Sequence, residues 1–147
     1  MYVGDCRAYF GLKDYQQLLV VQDLARKLGY PEVVPCDTVC QSSGLAYSSR
    51  NRLLSSTDET TAAHIYRALT EAKNLWSTGV RDSQQLCAAM KSILAESSMT
   101  VEYAEVRDPN DWQRSSPMGQ LDRAVALIAV KIGGVRLIDN FRLGQGL

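Results

Sequence analysis

Apolar and polar positions change their period several times along this chain, and the changes mark its elements. Residues 7–10 read as a short buried strand running into Gly11. From Asp14 onward, Leu18, Val21, Leu24, Ala25 and Leu28 recur at three- and four-residue steps, which predicts a helix with one apolar face. Gly29 is the expected stop, and residues 32–35 then predict a second strand with Val33 and Val34 buried. Strand, helix and strand in that order fit one βαβ unit of a parallel sheet.

Residues 36–56 are rich in small polar side chains and have no helical period, so a functional loop is expected there. Ser56 with Glu59 has the spacing of a capping box and predicts the next helix start. Ala62, Ile65, Leu69, Ala72 and Trp76 supply that helix's buried face, and Gly79 ends it. Asp82 with Gln85 predicts another cap, followed by a stripe of Leu86, Ala89, Met90, Ile93 and Leu94. The last third alternates differently. Residues 100–107 read as a strand with Val101 and Tyr103 on one face and Ala104 and Val106 on the other, before an Asp108-Pro109-Asn110 turn. Residues 124–131 form a strongly apolar strand, Gly133-Gly134 a hairpin turn, and residues 135–138 its partner. Two helices followed by three strands predict a small α+β domain from about Ser56 onward.

Composition narrows the function classes. Sixteen basic residues balance sixteen acidic ones, so no general attraction to nucleic acid or anionic membrane is expected. Any anion site must rest on a few placed groups. No apolar run approaches the ~20 residues of a membrane helix. The four cysteines, Cys6, Cys36, Cys40 and Cys87, form no C-x-x-C pair and are expected as free thiols in a reducing cytosol. The single histidine, His64, falls beside the apolar face of a predicted helix and is expected to be structural. No protein metal site is expected.

Two clusters carry candidate chemistry. Gly11-Leu12-Lys13-Asp14, with Gln17 one turn on, lies at a strand-to-helix junction. A glycine admits close approach to the backbone, a helix start presents N–H groups to an anion, and Lys13 adds a mobile charge that can follow a phosphate. Spacing alone is met more often by a capped surface helix with a solvated lysine. The second cluster, Gly44-Leu45-Ala46-Tyr47-Ser48-Ser49-Arg50-Asn51, sets two hydroxyls and a guanidinium in succession, donors suited to a departing pyrophosphate. A polar loop that caps the next segment fits the same residues.

The two clusters together resemble the pantothenate synthetases. The run from Arg7 to Gln17 is similar to a signature of that family, and Gly44 to Asn51 to its phosphate-binding loop. Residues 124–129 and Arg136 to Asn140 are similar to the end of its C-terminal domain. The resemblance implies an α/β fold: residues 1–55 as the C-terminal portion of a Rossmann-like nucleotidyltransferase domain that binds ATP and pantoate, and residues 56–147 as a small α+β C-terminal domain. It implies ATP-dependent condensation of pantoate with β-alanine through pantoyl adenylate, releasing AMP and pyrophosphate, in the cytoplasm. Gly11, Leu12, Lys13, Asp14, Val39, Tyr47, Ser48, Ser49 and Arg50 would contact ATP, with Lys13, Ser48, Ser49 and Arg50 catalytic. Gln17 would bind pantoate, and Mg2+ would be carried with ATP. The family's paired-histidine segment and second pantoate-binding glutamine are absent from this sequence, and Cys40 and Gln41 stand where the family usually has an arginine and an acidic residue. The expected partners beyond substrates are a second copy in a homodimer, or an N-terminal half. The rival expectation is a non-catalytic interaction module of the same family.

Overall fold

The computed structural model describes residues 4–112 and 119–144, in two compact units, residues 1–39 and 40–147. The division falls earlier than the expected boundary after residue 55, because Leu45 of the intervening loop is part of the second unit's core.

In the first unit, β1 (Arg7–Gly11) runs through a 3₁₀ turn (Leu12–Asp14) into α1 (Tyr15–Leu28) and returns as β2 (Glu32–Cys36). The strands pair in parallel from Arg7↔Glu32 to Gly11↔Cys36, which is the βαβ unit the pattern predicts. Gly29 ends α1 in the left-handed conformation. Two expectations are corrected here. The strands are not buried: Arg7, Tyr9 and Gly11 are exposed, and Val33 and Val34 are only half-buried, since two strands and one helix cannot cover both sheet faces. Leu24 and Leu28 are also exposed, at 53% and 59%. The buried side of α1 is Tyr15, Leu18 and Ala25; at about 100° per residue Leu24 is turned away from that line, and Leu28, on the turn after Ala25, is the last residue of the helix.

The second unit holds α2 (Ser56–Ser77), α3 (Ser83–Ala95) and an antiparallel sheet of β3 (Thr100–Arg107), β4 (Ala124–Ile132) and β5 (Val135–Leu143), in the order β3-β4-β5. Every residue expected on the inner face of α2 is buried, from Ala62 to Trp76. Leu86, Met90 and Leu94 of α3 are fully buried, while Ala89 and Ile93 are half-buried flanks. The helix caps are satisfied. Asp82 accepts from the N–H groups of Gln84 and Gln85, as the sequence predicts. The cap of α2 lies one residue earlier than predicted: Ser55 Oγ accepts from Asp58 N, and Asp58 Oδ2 accepts from Ser55 Oγ. Asp58, three residues on, thus takes the part expected of Glu59.

Residues 124–130 are all buried, so β4 is covered on both faces. Ala104 and Val106 face inward from β3 with Val101 and Tyr103 half-buried, and an unpredicted bulge interrupts the ladder between Val101 and Tyr103. The Asp108 turn forms as expected, with Asp111 N donating to Asp108 O. Gly133 and Gly134 both take positive φ, the geometry of a two-residue hairpin turn. β5 continues past the predicted end at Ile138, because Asp139 and Asn140 are buried polar residues inside the strand.

Candidate active site

The first cluster sits where β1 delivers the chain to α1. Leu12 and Tyr15 are buried and fasten the 3₁₀ turn from beneath. That leaves Lys13 half-buried and Gly11, Asp14 and Gln17 exposed. Asp14 is the N-cap of α1 but makes no side-chain cap bond, so the helix start is not closed by its own carboxylate. Gly11 has φ −69°, which any residue adopts, and a Cβ there would meet nothing within 4 Å. The backbone at Gly11 is therefore open to close approach for lack of a side chain, not for conformational reasons. The Gly11↔Cys36 pairing sets the exits of β1 and β2 side by side, and exposed Val39 follows from the same carboxyl edge. Parallel sheets receive ligands at that edge.

A groove of about 640 Å³ lies at the other end of this unit, lined by Gln22, Ala25, Arg26, Gly29, Pro31, Glu32 and Val33. It borders the start of β2 and contains none of the predicted residues. The carboxyl edge, with its glycine, lysine and helix start, is the better candidate for a ligand on chemical grounds.

The second cluster is a loop with an inside and an outside. Cys40 bridges Ala46 in antiparallel fashion, Gln41 N donates to Leu45 O, and Gly44 N donates to Gln41 O, both at 2.9 Å. This is a tight hairpin whose Gly44 takes φ +85°. Gly44, Leu45 and Ala46 are buried, whereas Tyr47, Ser49 and Arg50 are exposed. Ser48 caps a 3₁₀ turn (Ser49–Leu53), its Oγ accepting from Arg50 N at 3.2 Å. Its hydroxyl proton remains able to donate outward. Asn51 Nδ2 donates to Ala46 O at 3.1 Å and ties the turn back to the hairpin. The sequence placed Asn51 in the motif without a role; its position just after three polar residues gave no sign that its amide would brace the loop.

The structure thus gathers Gly11, Leu12, Lys13, Asp14 and Gln17 on one junction, with Val39 on the same sheet edge, and Tyr47 to Arg50 on one loop of the other unit. His64 is half-buried, with Nδ1 2.9 Å from Thr61 O, in agreement with a structural role. All four cysteines are free. Burial pushes the Cys40 thiol above its ordinary value, with the Asp139 charge adding to the shift, and burial does the same to Cys87. Neither is an activated nucleophile. Among the described residues no group of three His, Cys, Asp or Glu could hold a metal ion, and no helix is long and apolar enough to cross a membrane.

Residues 1–142 match the family model described as pantoate-beta-alanine ligase. The chain belongs to this family. It is 47% identical over 140 residues to the pantothenate synthetase of Rubrobacter xylanophilus, covering 93% of this chain and 47% of that protein. It is 44% identical over 140 residues to the bifunctional pantoate ligase/cytidylate kinase of Synechococcus elongatus, covering 93% of this chain and 26% of that one. The crystal structure of pantothenate synthetase from Thermus thermophilus superposes with a TM-score of 0.84 at 36% identity, over 92% of this chain and 49% of that one. That likeness bears out the α/β fold class with a small antiparallel-sheet domain. A pantoate-beta-alanine ligase from Francisella tularensis, solved with beta-gamma ATP and β-alanine, is similar at a TM-score of 0.61 and 29% identity, over 92% of this chain and 43% of that one. The chain spans about half the length of the pantothenate synthetases it matches.

Proposed function

We propose that this chain carries the phosphate- and pantoate-contacting part of an ATP-dependent pantoate–β-alanine ligase that works in the cytoplasm. The observation that carries the reading is the two-sided loop at residues 44–51: its apolar residues are buried and its hydroxyl and guanidinium donors face outward, in a chain of this family. In this reading, pantoate carboxylate attacks the α-phosphate of ATP, forming pantoyl adenylate and expelling pyrophosphate. The β-alanine amine then attacks the acyl carbon and AMP leaves. Tyr47, Ser48, Ser49 and Arg50 hold the phosphates and stabilise the departing pyrophosphate, while Lys13 follows the phosphate charge. The open backbone at Gly11 and the start of α1 accommodate the nucleotide, with Leu12 and Asp14 shaping the junction and Val39 offering backbone beside the base. Gln17 holds pantoate. No protein nucleophile is required, because positioning and charge stabilisation carry both steps. Magnesium travels with ATP through the phosphates.

The Francisella relative, bound to an ATP compound and β-alanine, supports the substrate classes. In this reading the remaining substrate contacts come from further polypeptide, whether an N-terminal half or a partner copy. Titration of the purified chain with magnesium pyrophosphate tests the loop assignment. Saturable binding weakened about tenfold or more in Arg50→Ala supports it; binding indifferent to Arg50 refutes it. A second reading, a non-catalytic interaction module, draws on the complete core of residues 40–147. It predicts a folded chain with no response to pyrophosphate.

A further inference from the structure

Tyr66 lies on α2, and no catalytic pattern in the sequence includes it. Its neighbours Ile65 and Leu69 are fully buried and carry the packing of that helix, whereas Tyr66 itself is 37% exposed. Its ring nevertheless occupies the space beside Gly44. A Cβ built on Gly44 would lie 2.2 Å from Tyr66 Cγ, 2.3 Å from Cδ1 and 2.8 Å from Cδ2, closer than nonbonded carbons approach. The backbone of Gly44 therefore rests directly on the aromatic ring, and both the contact and φ +85° exclude any side chain there. The ring also meets Phe141 of β5 in an edge-to-face contact, with centroids 5.5 Å apart and an interplanar angle of 84°. Lys73 Nζ lies 5.8 Å from the centre of the Phe141 ring. Sheet, helix and hairpin are thus joined in one stack, Phe141 to Tyr66 to Gly44.

We propose that Tyr66 is a positioning residue for the phosphate loop, its ring serving as the platform that fixes Gly44 and so the outward donors Tyr47, Ser49 and Arg50. The proposal rests on the phosphate-loop reading above. The hairpin is held at its base by the Cys40↔Ala46 bridge, beyond it by the Asn51–Ala46 bond, and at its turn by two packed supports, the Leu45 side chain in the core and the Tyr66 ring against Gly44. With the ring gone, the Gly44 side of the turn loses its packed surface, and the Gly44–Gln41 and Gln41–Leu45 bonds are left with Leu45 as their one packed support.

The test compares the full chain with Tyr66→Phe, Tyr66→Leu and Tyr66→Ala, reading amide hydrogen exchange and magnesium pyrophosphate binding in each. Leucine keeps an apolar helix-forming side chain without a flat face, so a folding failure of the alanine variant leaves the comparison intact. The leucine and alanine variants should exchange the Gln41 and Gly44 amides at least about tenfold faster, with β4 amides unchanged, and bind pyrophosphate several-fold more weakly. Tyr66→Phe keeps the ring and should restore both. Gly44→Ala should lower the melting temperature less in the Tyr66→Ala background than alone, because the ring it collides with is gone. Unchanged Gln41 and Gly44 exchange in the leucine variant, or acceleration shared equally by β4, overturns the proposal. Faster loop exchange in the Tyr66 variants, where the parent chain's pyrophosphate binding ignores Arg50, instead sinks the phosphate reading and leaves Tyr66 as a support of the loop.

Discussion

The two units of this chain are built to different depths. In residues 40–147, two helices cover one sheet face and the central strand β4 has seven consecutive buried residues. In residues 1–39, one helix lies against two strands, β1 alternates between exposed and half-buried positions, and Val20, Leu24 and Leu28 of α1 are exposed together. A parallel sheet is normally covered on both faces. The comparison teaches that the unit bearing Gly11, Lys13 and Gln17 buries little apolar surface of its own, while the unit bearing the 44–51 loop has a core of its own.

The largest expected effect sharpens that contrast. Leu69→Ala or Ile128→Ala removes a fully buried side chain and should cost about 2–5 kcal/mol in denaturant unfolding of the second unit. Leu24→Ser, at an exposed site, should stay within about 0.5 kcal/mol. Similar costs at both sites would break the comparison. Next in size is self-association. The exposed apolar positions on α1 should bring the chain together at high concentration, and Leu24→Lys with Leu28→Lys should reduce that in light scattering. A monodisperse monomer before substitution contradicts the expectation.

Helix caps come next, and Ser55→Ala or Asp82→Ala should cost about 1 kcal/mol of the second unit's stability. Alkylation should follow exposure and thiol environment: Cys6 reacts first near pH 8, while Cys40 and Cys87, whose thiols are pushed up by burial, lag in a mass-spectrometric time course. The smallest effect concerns Glu102, whose carboxyl is held below the usual range by hydrogen bonds from Arg136 at 2.7 Å and Lys131 at 3.1 Å. Because its folded value is lowered, its contribution is present above the unfolded value of about 4.3 and is lost as pH falls through the folded value. Glu102→Gln should therefore flatten the acid limb of the stability curve and leave higher pH limbs otherwise parallel.

Where one face of an element packs on a complete core, the sequence was readable. The α2 stripe from Ala62 to Trp76, the Asp82 cap and the glycine hairpin all appear as their patterns predict. Where burial depends on what lies across from an element, it was not. Leu24 fits a helical period but falls outside the α1 contact line, Leu28 is the last residue of that helix, and Val33 and Val34 lack a second cover. Asp139 and Asn140 read as a strand end because burial of polar side chains is decided by tertiary partners that a pattern does not show. The two candidate clusters were legible as motifs, but the supports behind them were not. Asn51 and Tyr66 act through contacts with residues distant in sequence or by side-chain direction, and neither leaves a spacing signal.

The most direct test of the central claim is AMP release from ATP by this chain, supplied in trans with the half of the Rubrobacter pantothenate synthetase that it does not match. The account predicts release that requires both pantoate and β-alanine and falls about a hundredfold or more in Lys13→Ala. Release that ignores pantoate, or that is unchanged by the loss of Lys13, would contradict it.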